Sequence, residues 1–428
     1  MSGEGVPSVV FFRRFVFSIF CATLFSALFL FNDSAFAQRG RGGRPNRERP
    51  YAERPLPDLA LEPIASAANV ANAAIQTLRP IAGAALPGFG SNPGDRAQAS
   101  RLDPESIYEV GSQTITWYSQ GGEVFSALAF YPTTPPLNGG KFPAVVYSHG
   151  LGSSPENFSY LGRSWASRGV VTIILHHYET DESLWRGKLR PMAELKEAYN
   201  KYWTARDRAR AMSSAINFLY SINEEPGPLG ASVDLTRIAV AGNDLGALAA
   251  LMLAGQLPPD NSALMKDSRV SAVLAISPPV FCDPASAPTV YASITAPLMV
   301  ITGTKDDGVV GSTKARQRRI PYDSVTRNDR YLVVLKGGDH RVYGGLRVGG
   351  QRQASDSAYQ ETVRVQSSDY FSAYLLNSAS HLESMRSNGY STRSENAFVE
   401  HAVFGESPKA SREATYSAAR LRSQRGYR

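Results

Sequence analysis

From residue 107 onward the chain falls into short apolar runs separated by polar, glycine-bearing turns. Residues 115–118 (Ile115-Thr116-Trp117-Tyr118) and 124–131 flank Gln120-Gly121-Gly122 and predict a β-hairpin. Unbroken apolar runs then recur at 144–147, 170–175, 238–241, 270–276, 298–302 and 331–335. Helical periodicity fills the gaps near 157–167, 194–222 and 245–255, and returns near 356–376. Runs that are apolar throughout, alternating with helices, predict a parallel sheet covered on both faces. The leading hairpin makes that sheet mixed. The expected fold class is therefore α/β, in one domain over residues 102–390 with no large cap.

The two ends have a different texture. Arg13-Arg14, an apolar stretch over 15–31 and Ala35-Phe36-Ala37 predict an export signal at residues 1–37. Its 17 apolar residues lie at the short limit of a membrane span, which favours cleavage after Ala37 over a retained anchor. The expected location is periplasmic or extracellular. Residues 38–101 read as a linker, with Arg39, Arg41, Arg44, Arg47, Arg49 and Arg54 set among Gly and Pro, followed by an Ala-rich stretch. Residues 391–428 read as a flexible basic tail.

Composition sharpens this picture. At 43% hydrophobic the chain can bury a sizeable core, which excludes a disordered or collagen-like protein. The net charge of +7 invites nucleic acid or an anionic membrane as partner. Residues 38–56 and 405–428 carry +4 each, whereas 57–404 carry −1. The basic character thus belongs to the ends, which suit weak contact with an anionic envelope surface, and no nucleic acid is expected. With only Cys21 and Cys282, loss of the signal leaves no possible intramolecular disulfide.

Chemistry in such a sheet gathers at the carboxyl ends of the strands. Three loops there stand out. His149-Gly150-Leu151-Gly152 follows the 144–147 run, and its glycines let backbone amides face a cleft. Gly242-Asn243-Asp244-Leu245-Gly246 carries a strand into a small-residue helix, the setting of a nucleophile elbow, with Asp244 where Ser is usual. Lys336-Gly337-Gly338-Asp339-His340 supplies the one histidine of six placed after a late strand. Between them, Gly303-Thr304-Lys305-Asp306-Asp307 offers a carboxylate to orient an imidazole, either Asp306 or Asp307.

On these motifs, residues 107–380 resemble the α/β-hydrolase superfamily, nearest its compact dienelactone hydrolase, chlorophyllase and platelet-activating-factor acetylhydrolase-like branch. The resemblance implies hydrolysis of a small-molecule ester. It gives His340 the role of base, Asp306 or Asp307 that of orienting acid, and the amides of Leu151 and Leu245 that of oxyanion donors. It implies no cofactor and no metal. The departure is Asp244. A carboxylate attacking an ester carbonyl gives a mixed anhydride, whereas Asp at the elbow resembles haloalkane dehalogenases and epoxide hydrolases, where it attacks an sp³ carbon. Three readings follow: Asp244 as nucleophile or base on an electrophile, ester hydrolysis through water, or a catalytically degenerate hydrolase fold that binds a ligand or partner.

Other residues carry weaker signals. His176-His177 are adjacent, so their side chains point apart and a zinc site is not expected. Trp185 and Tyr178 are candidates for a pocket wall. Lys196, Lys201, Arg206, Arg208 and Arg210 read as one solvated helix face. Cys282 reads as an idle thiol.

Overall fold

The computed structural model describes residues 106–119, 121–201, 205–259, 263–344, 355–387 and 395–404. The expected signal, the linker and most of the expected tail lie outside the described residues.

Nine strands form one sheet in the order β1-β2-β4-β3-β5-β6-β7-β8-β9. β1 (Val110–Tyr118) and β2 (Val124–Pro132) form the predicted antiparallel hairpin, and β2 runs antiparallel to β4 (Val171–Leu175). β3 (Phe142–Ser148), β4, β5 (Val233–Asn243), β6 (Val270–Ile276), β7 (Leu298–Lys305) and β8 (Arg330–Asp339) are parallel. All seven residues of β3 are buried, as a strand covered on both faces requires.

Alternate residues of these strands feed two cores. Ala144 and Val146 of β3 join the core beneath α3 (Ala205–Ile222) and α4 (Leu245–Ala254), while Val145 and Tyr147 join that beneath α1 (Ser159–Ser167) and α5 (Asp356–Tyr374). The period-2 pleat thus sends each strand's side chains into both layers. The expected helix over 194–222 is two helices, α2 (Pro191–Lys201) and α3. Pro191 stands at the first turn of α2, where its missing N–H costs nothing.

Two expectations are corrected. The domain does not end at 390: residues Ala397–Ala402 form β9, antiparallel to β8, and close that edge of the sheet. Its side chains are mostly half-buried, so no apolar run betrays it, and Arg319 holds it through both oxygens of Glu400 at 2.9 and 3.0 Å. Arg208 is not on a solvated face. It falls in register with Ala205, Ala209 and Met212 on the buried stripe of α3 and is itself buried.

Candidate active site

The site lies at the carboxyl ends of β3, β5, β6, β7 and β8. β5 ends at Asn243, and Asp244 turns the chain into α4 with φ +50° and ψ −123°. This is a sparsely populated region for a side-chain-bearing residue, and the packing around it imposes it. A Cβ on Gly246 would land on the Ser148 carbonyl, and one on Gly242 would land on Gly246. Only glycine at both positions lets α4 pass so close to β3 and β5. Asp244 is further fixed by donating its N–H to the Ile276 carbonyl at 3.0 Å.

His340, just beyond β8, faces two carboxylates. Its Nδ1 is 2.9 Å from Asp306 Oδ1, and its Nε2 is 3.8 Å from Asp244 Oδ1. Asp306 is fully buried. Its Oδ1 accepts from Ser277 Oγ at 2.8 Å and lies 3.1 Å from Arg318 Nε; its Oδ2 accepts from Thr302 Oγ1 at 2.9 Å and Tyr343 OH at 3.0 Å. Burial alone would push this carboxyl up. The charge of Arg318 and the donors from His340 and Ser277 outweigh burial and hold it below the usual carboxylate range. Asp307, the other candidate acid, is turned away: it is exposed and bonded to Lys314 Nζ at 3.1 Å and the Ala315 amide at 2.9 Å. A one-residue offset therefore separates the acid in contact with the imidazole from a surface ion pair.

The His149–Gly152 loop is held at both ends. Asn243 Oδ1 accepts from the Gly150 amide at 2.8 Å, and the Thr180 carbonyl accepts from the Gly152 amide at 2.8 Å. Arg208 binds the His149 carbonyl at 2.5 Å and Thr180 Oγ1 at 2.6 Å from below. Its guanidinium makes no ion pair among the described residues, and burial lowers its pKa to about 10 although the charge of Asp244 opposes this. Among the described residues, neither the Leu151 nor the Leu245 amide donates a hydrogen bond. Both amides are uncommitted, and Leu151 also lines the cleft of the site.

Leu151, Asn243, Asp244, Arg318 and His340 line an open cleft of about 100 Å³, walled by Phe158, Trp185, Leu195, Tyr199 and Val309. Trp185 is thus in the wall, its Nε1 donating to the Gly152 carbonyl at 2.5 Å. Tyr178 is exposed and stacks on His176, outside the cleft lining. His176 lies 3.5 Å from Asp181, and His177 Nε2 is 2.8 Å from Ser148 Oγ, behind the loop. No group of three metal-holding side chains occurs among the described residues. Cys282 is half-buried, with its thiol pushed up by burial, and lies outside the cleft lining.

Sequence reasoning missed Asn243, Ser277, Thr302, Arg318 and Tyr343. Ser277 had one signal, its place at the end of a strand that points into the site. It has φ +53°, the second side-chain-bearing residue at a strand end here with a positive φ. Arg318 had none, being one of several arginines over 316–319.

Comparisons agree with this architecture. Residues 128–215 match the family model for platelet-activating factor acetylhydrolase, isoform II, a stretch ending before the elbow. The chain is 24% identical over 237 residues to platelet-activating factor acetylhydrolase of Cavia porcellus, covering 49% of this chain and 50% of that protein. It is 26% identical over 220 residues to cutinase cut1 of Thermobifida fusca, covering 51% of this chain and 58% of that protein. The chain spans about half the length of the curated relatives it matches. With the sheet order and the elbow, these likenesses identify the fold as that of the α/β-hydrolases, and the chain as similar to platelet-activating factor acetylhydrolase and cutinase within that superfamily.

Proposed function

We propose that this chain is an exported hydrolase of a small organic substrate, ester-like or otherwise electrophilic. Asp244 stands at the nucleophile position, His340 is the base and Asp306 is the orienting acid. The names of the relatives support hydrolysis as the reaction class. The observation that carries the reading is the line Asp306–His340–Asp244, opening on a cleft lined by Leu151, one of two residues whose amides are uncommitted.

The chemistry runs in two steps. An Asp244 oxygen attacks an electrophilic carbon and expels the leaving group, giving an ester between Asp244 and the substrate. His340 Nε2 then takes a proton from water as its oxygen adds to Cγ of that ester, while Asp306 accepts from Nδ1–H. The oxyanion formed faces the Leu151 and Leu245 amides. Collapse releases the alcohol, which takes the proton from His340, and leaves Asp244 as a carboxylic acid whose remaining water-derived proton passes to solvent, restoring the carboxylate. On a carboxylic ester the same base directs water straight at the acyl carbon, avoiding an anhydride.

The test is a panel of p-nitrophenyl esters, epoxides and haloalkanes offered to the purified mature protein, Asp244→Ala, Asp244→Ser and His340→Gln. A covalent adduct on Asp244 trapped by mass spectrometry in His340→Gln is the expected result. Full activity in Asp244→Ala removes the nucleophile role. Ester hydrolysis that appears only in Asp244→Ser, with no turnover by the native chain, overturns the proposal in favour of a degenerate site that binds.

A further inference from the structure

The carboxylate at the elbow creates a problem that a hydroxyl there would not. His340 has a carboxylate at each ring nitrogen, Asp306 Oδ1 at 2.9 Å from Nδ1 and Asp244 Oδ1 at 3.8 Å from Nε2. Each negative charge favours the imidazolium, and an imidazolium has no lone pair on Nε2 with which to take a proton from water. A base between two carboxylates is disarmed unless something offsets the second charge.

Arg318 is placed to do so. It is 1% exposed. Its Nε donates to the Asp306 carbonyl at 2.7 Å and lies 3.1 Å from Asp306 Oδ1; Nη1 donates to the Ser277 carbonyl at 2.6 Å; Nη2 lies 3.2 Å from His340 Nδ1. One guanidinium therefore touches the acid, the strained residue at the end of β6 and the imidazole. Three anchors fix its plane beside the ring, and a fixed cation there raises the cost of a second positive charge on His340. Counted together, Asp306 and Arg318 cancel and Asp244 leaves one negative charge. That is the net charge of a site with a hydroxyl nucleophile, one acid and no arginine. The other charged or titratable groups near the site are Tyr343, whose hydroxyl donates to Asp306, Asp339, which precedes His340 in the chain, Tyr199 and Arg341 in the cleft lining, and the buried Arg208, which interacts with the charge of Asp244 but donates to the His149 carbonyl and Thr180 and not to His340. Neither tyrosine is a cation, and Arg341 is exposed to solvent.

We infer that Arg318 is a positioning residue that offsets the carboxylate of Asp244 and keeps His340 neutral, with its proton on Nδ1 and its lone pair on Nε2. The inference rests on the reading of His340 as base, but its main readout needs no turnover. Selective ¹⁵N labelling of histidine, with His340 assigned by its loss in His340→Gln, reports the protonation of each ring nitrogen. At pH 7.5 the native protein shows a neutral ring with Nδ1–H. Arg318→Gln shows both nitrogens protonated, and Arg318→Gln with Asp244→Asn returns the neutral ring. With a substrate from the panel above, Arg318→Gln loses about tenfold or more in kcat at pH 7 and recovers toward pH 9, and Arg318→Lys retains more activity than Arg318→Gln.

An imidazolium in the native protein at pH 7.5 overturns the inference even if Arg318→Gln does not fold. So does a neutral ring in folded Arg318→Gln, or a loss of kcat equal at all pH values. Absence of turnover on every substrate counts against the proposed function alone and leaves the nitrogen spectra to decide on Arg318.

Discussion

Replacing Asp306 by Asn removes a charge and almost no volume, so it isolates what the carboxylate does in the buried network. Oδ1 faces three donors, on Ser277, His340 and Arg318, whereas Oδ2 faces the hydroxyls of Thr302 and Tyr343. The Asn amide nitrogen therefore takes the Oδ2 position, where a hydroxyl can rotate to accept from it. The hydrogen-bond pattern largely survives, but Arg318 is left as a fully buried cation without its counter-ion. Breaking a buried pair by removing one partner costs about 3–5 kcal/mol. At about 2–4 °C per kcal/mol for a domain of this size, the melting temperature falls by about 10 °C at pH 7. The pH dependence gives a second check. Asp306 is held below the usual carboxylate range, so its contribution is complete above about pH 4, where the unfolded chain is ionised, and fades as pH falls through the lowered folded value. The gap between native protein and variant should narrow below pH 4. Calorimetry over pH 3–8 measures both. A variant melting within about 2 °C of the native protein at pH 7, or a gap that widens on acidification, refutes the account of Asp306 as the counter-ion of Arg318.

Two further outcomes are expected. His149 and His177 are held well below the usual imidazole range, by burial first and then by the charge of Arg208. The unfolded chain binds protons at both near pH 6.5 while the folded chain does not, so stability falls as pH drops below about 6.5, by up to about 1.4 kcal/mol per unit for each. Urea midpoints at pH 7.5 and 5.5 should show this, and His177→Gln should flatten the slope; an unchanged slope counts against it. Gly246→Ala forces a methyl group against the Ser148 carbonyl and should cost about 3 kcal/mol, whereas Gly121→Ala, with nothing nearer than 3.7 Å, should be silent. Equal stability of the two variants would show that the elbow is not as tightly packed as described.

The parts legible in the sequence were those where one physical demand dominates. Parallel strands buried on both faces must be apolar throughout, so β3 to β8 stand out as runs. The elbow needs glycine at 242 and 246 whatever its chemistry, so it is visible even with Asp between them. β9 was hidden because an edge strand with half-buried residues such as Glu400 and His401 needs no apolar run. The choice between Asp306 and Asp307 was hidden because it depends on a shift in β7–β8 pairing between Gly303 and Lys305. Arg208 and Arg318 were hidden because a buried arginine looks, in sequence, like any solvated one. Their roles come from what folds over them, His149 and Thr180 in one case, Asp306 and Ser277 in the other.

Asp244 and Ser277 end neighbouring strands, each with φ near +50°. The contacts that force the Asp244 turn are made by its neighbours: the tight passage of Gly246 under Ser148 and the bond from its own amide to Ile276. None of them involves the Asp244 side chain. The turn is therefore set without the Asp244 side chain, and an exchange at 244 for another small residue that tolerates a positive φ changes the reaction without asking the fold to change. In evolutionary terms, the nucleophile position is free to vary while the groups that tune it, Arg318 and the Asp306 cradle, must vary with it. A history of such exchanges would leave its mark as covariation between 244 and 318, and not between 244 and the glycines that shape the turn.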